Sequence, residues 1–255
     1  MPPAIEFERV GYVHADGSRA LADVSLRMVA GRTLAIVGRS GAGKSTLLRL
    51  VNGLLQPTTG EIRVEGRPTS AWDPIRLRRR VGYVLQDVGL FPHMTVAQNI
   101  GLLPRLEQWP VARTHGRVRT LLDLVGLDPD VYGPRLPGEL SGGQRQRVGV
   151  ARALVLDPPI LLMDEPFGAL DPLTRHELHQ EYWRIQERLQ RTVVVVTHDL
   201  REALALGQDL GVVDGGRLVA AGTAAQVLAS DHVVVRGLLE TLESVTPDTG
   251  AGVTQ

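Results

Sequence analysis

Gly38-Arg39-Ser40-Gly41-Ala42-Gly43-Lys44-Ser45 follows the apolar run Thr33–Val37 and opens a helical pattern that continues to about Leu54. The stretch fits G-x-x-x-x-G-K-[ST] in the context its mechanism demands, with a strand before it and a helix after it. Glycines let the backbone wrap a phosphate, so that several N–H groups and the helix N-terminus converge on the anion. Lys44 is then expected to reach the β- and γ-phosphates of a nucleotide, and the Ser45 hydroxyl to take Mg²⁺. Thr46 continues the same phosphate-facing run. A plain glycine turn capping a helix is the competing reading, and this context makes it the weaker one. Of 28 lysines and arginines, Lys44 is the single lysine. A tight phosphate loop has room for a compact ammonium on a flexible stem, and less for a planar guanidinium.

Outward from the loop, residues 5–10 and 24–29 alternate apolar and polar and predict antiparallel strands. Further strands are expected at Glu61–Val64, Val81–Leu85, Ile160–Met163, Thr192–Val196 and Leu210–Val213. Helices at Pro172–Gln190 and Leu200–Ala205 alternate with the later strands, which implies a mainly parallel sheet covered on both faces. Residues from about 87 to 157 carry Pro, Gly and helical periods instead. The expected fold is therefore α/β, a mainly parallel core (about 1–86 and 158–230) with an N-terminal antiparallel β part and an inserted α-helical lobe (about 87–157). It forms one domain over 1–240, with a polar tail over 241–255.

Composition narrows the function classes. Lys+Arg 28 balances Asp+Glu 28, which gives no electrostatic reason to expect nucleic acid. Without cysteine there is no disulfide, thiolate catalysis or cysteine metal site. The N-terminus lacks the layout of a signal peptide, and no apolar run approaches the ~20 residues of a membrane helix. A membrane role is expected to come through a partner.

Ile160-Leu161-Leu162-Met163-Asp164-Glu165 is an apolar strand ending in two carboxylates. Buried acids are costly unless paired or metal-bound. Beside a phosphate loop, Asp164 is expected to bind Mg²⁺, mostly through water, and Glu165 to polarise the attacking water. Leu140-Ser141-Gly142-Gly143-Gln144 precedes a helix expected over Arg145–Leu156 and makes a second anion-binding helix N-terminus. Alone it would be only an N-cap. Together with the loop and the acid pair it resembles the signature of ATP-binding-cassette (ABC) ATPases of the P-loop class. Gln86 after a strand, Ala169-Leu170-Asp171 after the acids, and His198 after Val193–Val196 complete the ordered set.

The resemblance implies an ATPase whose two copies close head to tail over two ATP molecules with Mg²⁺. Ser141, Gly143 and Gln144 would act on the nucleotide held by the other copy's Lys44, and Asp171 would sit at the seam. Gln86 would touch Mg²⁺ and the water while linking the site to a transport channel. His198 would contact the γ-phosphate and help Glu165 position the water. The family's adenine-stacking aromatic falls at His14, with Tyr12 as the competing candidate.

Gln86–Pro110 and Gly149–Leu154 resemble ATPase subunits of glycine betaine/carnitine/choline importers, the osmoprotectant class. Asp87 stands where that class commonly has a second amide, and no C-terminal pair of regulatory CBS modules is expected. The resemblance implies membrane permease partners, an indirect link to a substrate-binding protein, and a peripheral place on the cytoplasmic face of the membrane. ATPases for another small solute, or for work on DNA or ribosomes, are the alternatives. Gly89-Leu90-Phe91-Pro92 is either a surface for a partner's helix or ordinary lobe packing. Arg76–Arg80 is expected to be a solvated helix face, and Trp72, Trp109 and Trp183 to be packing residues. His176 and His179 lack a third metal ligand nearby.

Overall fold

The computed structural model describes residues 3–168 and 170–243. Its N-terminal part comprises β1 (Ile5–Val13), β2 (Arg19–Met28), β3 (Thr33–Val37), α1 (Lys44–Val51), β4 (Thr59–Val64) and the short β5 (Arg67–Pro68). After α2 (Pro74–Arg80) and β6 (Val81–Val84) come four helices, α3 (Val96–Leu106), α4 (Val111–Leu124), α5 (Pro129–Tyr132) and α6 (Gly142–Ala153). The chain then builds β7 (Ile160–Asp164), α7 (Pro172–Leu189), β8 (Thr192–Thr197) and α8 (Leu200–Leu206). It continues through β9 (Asp209–Asp214), β10 (Arg217–Thr223), α9 (Ala224–Leu228) and α10 (Val233–Glu243).

Two sheets result: β2-β1-β4-β5, all antiparallel, and β10-β9-β3-β8-β7-β6, parallel except for β10. β3, β7 and β8 are buried at every residue, as strands covered on both faces must be. Their side chains sort by parity. Leu34, Ile36, Ile160, Leu162, Val194 and Val196 pack with α1 and the antiparallel sheet. Leu161, Met163, Val193 and Val195 face α6, α7 and the helical segment, through residues such as Val148, Leu178, Ile100 and Leu121. Truncating a fully buried leucine such as Leu162 to alanine is expected to cost about 2–5 kcal/mol.

β3, β8, β7 and β6 are adjacent and parallel, so the chain leaves all four at one edge of the sheet. That edge is where open α/β sheets place their ligand sites.

Several local features depart from the periodicity. Helix α6 starts at Gly142, three residues before the expected start. The Ser141 hydroxyl accepts the Gln144 N–H (3.2 Å) while Gln144 Oε1 accepts the Ser141 N–H (2.9 Å). β2 begins at Arg19, β7 takes in Asp164 and β8 takes in Thr197. β5, β10, α9 and α10 have no counterpart in the expected set. Of the expected tail, residues 241–243 belong to α10, whereas 244–255 and Ala169 lie outside the described residues. Arg79 and Arg80 pair with Glu107 and Glu65, so the basic run is stitched to its surroundings. Among the described residues no helix is long and apolar enough to cross a membrane.

Candidate functional site

The turn between β3 and α1 is held from behind. A Cβ at Gly38 would lie 2.2 Å from the Val213 carbonyl oxygen, and one at Gly43 2.6 Å from that of Ala20. Gly43 also has φ 103° and serves as N-cap of α1, so glycine is required on two counts. Lys44 is 5% exposed, and its Nζ donates to the carbonyls of Gly38 (2.7 Å) and Arg39 (3.0 Å). An ammonium has three N–H donors, so one remains for an anion over the loop. Burial lowers the Lys44 pKa, and the carboxylates of Glu165 and Asp164 oppose that shift.

Ser45, the second residue of α1, donates its hydroxyl to Asp164 Oδ1 at 2.8 Å. The Tyr83 hydroxyl, from neighbouring β6, donates to Asp164 Oδ2 at 3.1 Å. Burial, with the Asp164 charge next, pushes the Tyr83 phenol well above its ordinary value, so it stays a donor. Asp164 is thus buried with both oxygens engaged. A serine hydroxyl beside a carboxylate is a hard-oxygen set suited to Mg²⁺, which keeps several waters and takes few protein ligands. No group of three or more His, Cys, Asp or Glu among the described residues could hold a metal. The residues present fit Mg²⁺ bound jointly with phosphate.

Glu165 follows the last residue of β7 with φ 44°, a left-handed conformation rare for a non-glycine residue. Its N–H continues the β7–β8 ladder by donating to Val196 O at 2.9 Å. The side chain therefore turns back over the sheet edge. There Oε2 meets His198 Nδ1 (2.9 Å) and Gln86 Nε2 (3.5 Å), and Oε1 lies 3.8 Å from Lys44 Nζ.

One cleft is lined by His14, Ser40, Gly41, Gly43, Lys44, Ser45, Thr46, Gln86, Glu165 and His198. Ala42 and Asp164 sit behind it, both buried. His14 meets the Tyr12 ring edge-on at 5.1 Å, and Tyr12 leans on the hydrophobic core. Arg49 and Ala20 also line the cleft and were not anticipated. Tyr83 was missed as well, and its only sequence signal is a hydroxyl-bearing ring within the apolar run VGYV.

Ser141, Gly143, Gln144 and Asp171 do not line this cleft. They gather at the N-termini of α6 and α7 instead. The Asp171 side chain caps α7 by accepting the Thr174 N–H (3.0 Å); hydrogen bonding from the Thr174 hydroxyl, then from this N–H, holds its carboxyl below the usual range. A Cβ on Gly143 would meet Thr174 Cγ2 at 2.7 Å, so the two caps share one contact residue. The Gln144 amide is committed within the chain, its Nε2 donating to the Tyr132 hydroxyl at 3.2 Å. His176 pairs with Gln180, and His179 packs edge-on to Phe167.

A family model described as ABC transporter matches residues 21–168. The glycine betaine/carnitine/choline transport ATP-binding protein OpuCA of Bacillus subtilis (strain 168) is 44% identical over 224 residues. That match covers 88% of this chain and 59% of OpuCA, so the chain spans well short of OpuCA's full length. The glycine betaine uptake system ATP-binding protein YehX of Escherichia coli (strain K12) is 47% identical over 232 residues, 90% of this chain and 75% of YehX. A solved dimeric post-hydrolysis state of the ATP-binding cassette MJ0796, bound to ADP and Pi, superposes with a TM-score of 0.76 at 32% identity. It covers 86% of this chain and 98% of that one. By the matched family model and by its fold, the chain belongs to the ABC transporter family.

Proposed function

We propose that the chain is the ATP-binding and ATP-hydrolysing subunit of an ABC importer for osmoprotectants such as glycine betaine, carnitine or choline. The observation that carries this reading is the meeting of Lys44, Ser45, Glu165 and His198 in one cleft at the ends of three adjacent parallel strands. The solute class is supported by OpuCA and YehX, both named for betaine transport.

In this mechanism Lys44 and the N–H groups of the glycine loop hold the β- and γ-phosphates, and His14 stacks on the base. Ser45, Gln86 and, through water, Asp164 would hold Mg²⁺, which supplies charge neutralisation between the phosphates when bound. Glu165 accepts a proton from the attacking water. His198, bonded to the same carboxylate oxygen, fixes that carboxylate and reaches the γ-phosphate. Tyr83 and Ser45 keep Asp164 in place.

The site is completed by a second copy of the chain. Ser141, Gly143 and Gln144 lie away from the cleft of their own chain, which supports their acting on the partner's nucleotide, with Asp171 at the seam. The solved MJ0796 cassette is dimeric, which supports pairing of this kind. Membrane permease subunits would dock on the groove around Phe91, which residues of the helical lobe (87–157) and of the core line together, with a substrate-binding protein acting through them. The chain would then sit peripherally on the cytoplasmic face of the membrane.

The test is to purify the chain with its membrane subunits in vesicles and add solute-loaded binding protein. Stimulation of ATP hydrolysis by betaine, carnitine or choline is expected. Stimulation by a different solute alone would reassign the cargo, and stimulation by nucleic acid alone would overturn the transport reading.

A further inference from the structure

His198 is half-exposed, its side chain 56% accessible, so packing does not orient the ring. Its imidazole nevertheless lands on Glu165, and the orientation has to come from the backbone that carries it. That backbone is fixed by two buried residues on either side. Thr197 is 0% exposed and Glu202 is 3% exposed.

Asp199 is the N-cap of α8 and Glu202 its third helical residue. In an ordinary reciprocal cap the third residue's side chain takes the N-cap N–H. Gln98, Gln144 and Gln226 do so at α3, α6 and α9. At α8 a hydroxyl is inserted into that exchange. The Asp199 N–H donates to Thr197 Oγ1 at 3.1 Å, and the Thr197 hydroxyl donates to Glu202 Oε2. With its proton committed one way and a lone pair the other, the threonine has one rotamer. Residues 197–199 close into a hydroxyl-bridged turn with His198 at its centre.

From α7, Arg175 adds a second hold, pairing with Asp199 at 3.6 Å while donating to the Leu170 carbonyl at 3.1 Å. The arrangement is expensive for a mere helix cap. Glu202 Oε1 is buried with no hydrogen-bond partner among the described residues, a desolvation cost that the more accessible Gln98, Gln144 and Gln226 do not carry.

We propose that Thr197 and Glu202 are positioning residues that aim His198 at Glu165, Glu202 acting through the threonine hydroxyl. This role presupposes the ATP hydrolysis proposed above, and the experiment separates the two. Steady-state kinetics of the full chain with Mg-ATP would compare Thr197→Val, Thr197→Ser and His198→Ala, plus the double variant Thr197→Val/His198→Ala.

Thr197→Val keeps shape and removes the hydroxyl. It should lower kcat by about tenfold to a hundredfold through misaligned chemistry, with KM for ATP unchanged. Thr197→Ser should restore most of the rate. Adding Thr197→Val to His198→Ala should cost nothing further, because there is no imidazole left to aim. Wild-type kcat in Thr197→Val, or an equal loss with and without His198, overturns the positioning role alone. If His198→Ala turns over like wild type, the role of His198 fails and this one with it. Should Thr197→Val not fold by circular dichroism, Glu202→Met carries the same cycle, with Glu202→Gln, which still offers an acceptor, as the rescue.

Discussion

The carboxylate of Glu165 and the imidazole of His198 meet at 2.9 Å across a separation of 33 residues. The pairing register of β7 and β8 causes this. Asp164 lies opposite Val196, so Glu165 comes level with Thr197 and His198 follows as the next residue at the same sheet edge. Replacing Glu165 by Gln keeps the hydrogen-bonding shape and removes the proposed base. ATP binding should persist, while turnover falls on the order of 10²–10⁴-fold. Single-turnover hydrolysis near the wild-type rate would refute the role.

Lys44 offers a reagent-based check. It is the single lysine, so an amine-selective reagent has one side-chain target. Its ammonium is already bound to two loop carbonyls and buried, so labelling should be slow. Mg-ATP should suppress it further as the phosphates take the remaining donor. Mass spectrometry of the labelled peptide reads both, and a rate indifferent to nucleotide speaks against the phosphate role.

Ser141 separates helix capping from action on a partner's nucleotide. Asp is as good an N-cap as Ser, so Ser141→Asp should leave thermal stability within about 0.5 kcal/mol. The added negative charge would face the phosphates of the other copy, so hydrolysis should collapse while binding by the single chain survives. Mixing it with a Lys44→Ala variant should restore part of the activity, since one intact composite site remains. No recovery in the mixture would count against the composite site.

Phe91 tests the docking groove. It is 41% exposed, but its backbone is pinned, its N–H donating to Asn99 Oδ1 and its carbonyl accepting from Asn99 Nδ2. Phe91→Glu therefore changes the surface and spares the frame. Solute uptake by the assembled transporter should fall sharply, with basal hydrolysis by the chain kept. Unchanged uptake would remove the groove from the docking surface.

His179 gives the pH prediction. Burial against Phe167, then the charges of Arg175 and His176, lower its pKa below the ordinary 6.5, with Asp199 opposing. The unfolded chain therefore binds this proton at a higher pH than the folded one. The stability contributed is present above the unfolded value and is lost as pH falls through the folded one. Melting temperature should drop between about pH 7 and pH 5, and His179→Leu should flatten that limb. An unchanged slope in the variant would exclude His179 as its source.

The fold was readable wherever burial leaves a periodic mark. The fully covered strands β3, β7 and β8 read as unbroken apolar runs, and the glycine loop and acid pair sit at their ends. What escaped was set by partners distant in sequence. β10 is half-exposed along much of its length and owes its existence to pairing with β9, which no local pattern records. The early start of α6 turns on a side-chain exchange between Ser141 and Gln144. Tyr83 reads as core until Asp164 is placed beside it, and nothing in VGYV says which acid its hydroxyl will find.

Gly216, in the turn between β9 and β10, accepts the Ala22 N–H at 2.8 Å and donates its own N–H to the Ala42 carbonyl at 3.2 Å. With the close approaches at Gly38 and Gly43, this makes the phosphate loop a preorganised receptor rather than one that forms around its ligand. Little conformational entropy is left to lose when a triphosphate arrives. In the proposed dimer, the free energy of binding would then be available for drawing a second copy onto the open side of the cleft. Under the proposed pairing of two copies, a rigid cradle in each half would send the response to nucleotide into the joint between them.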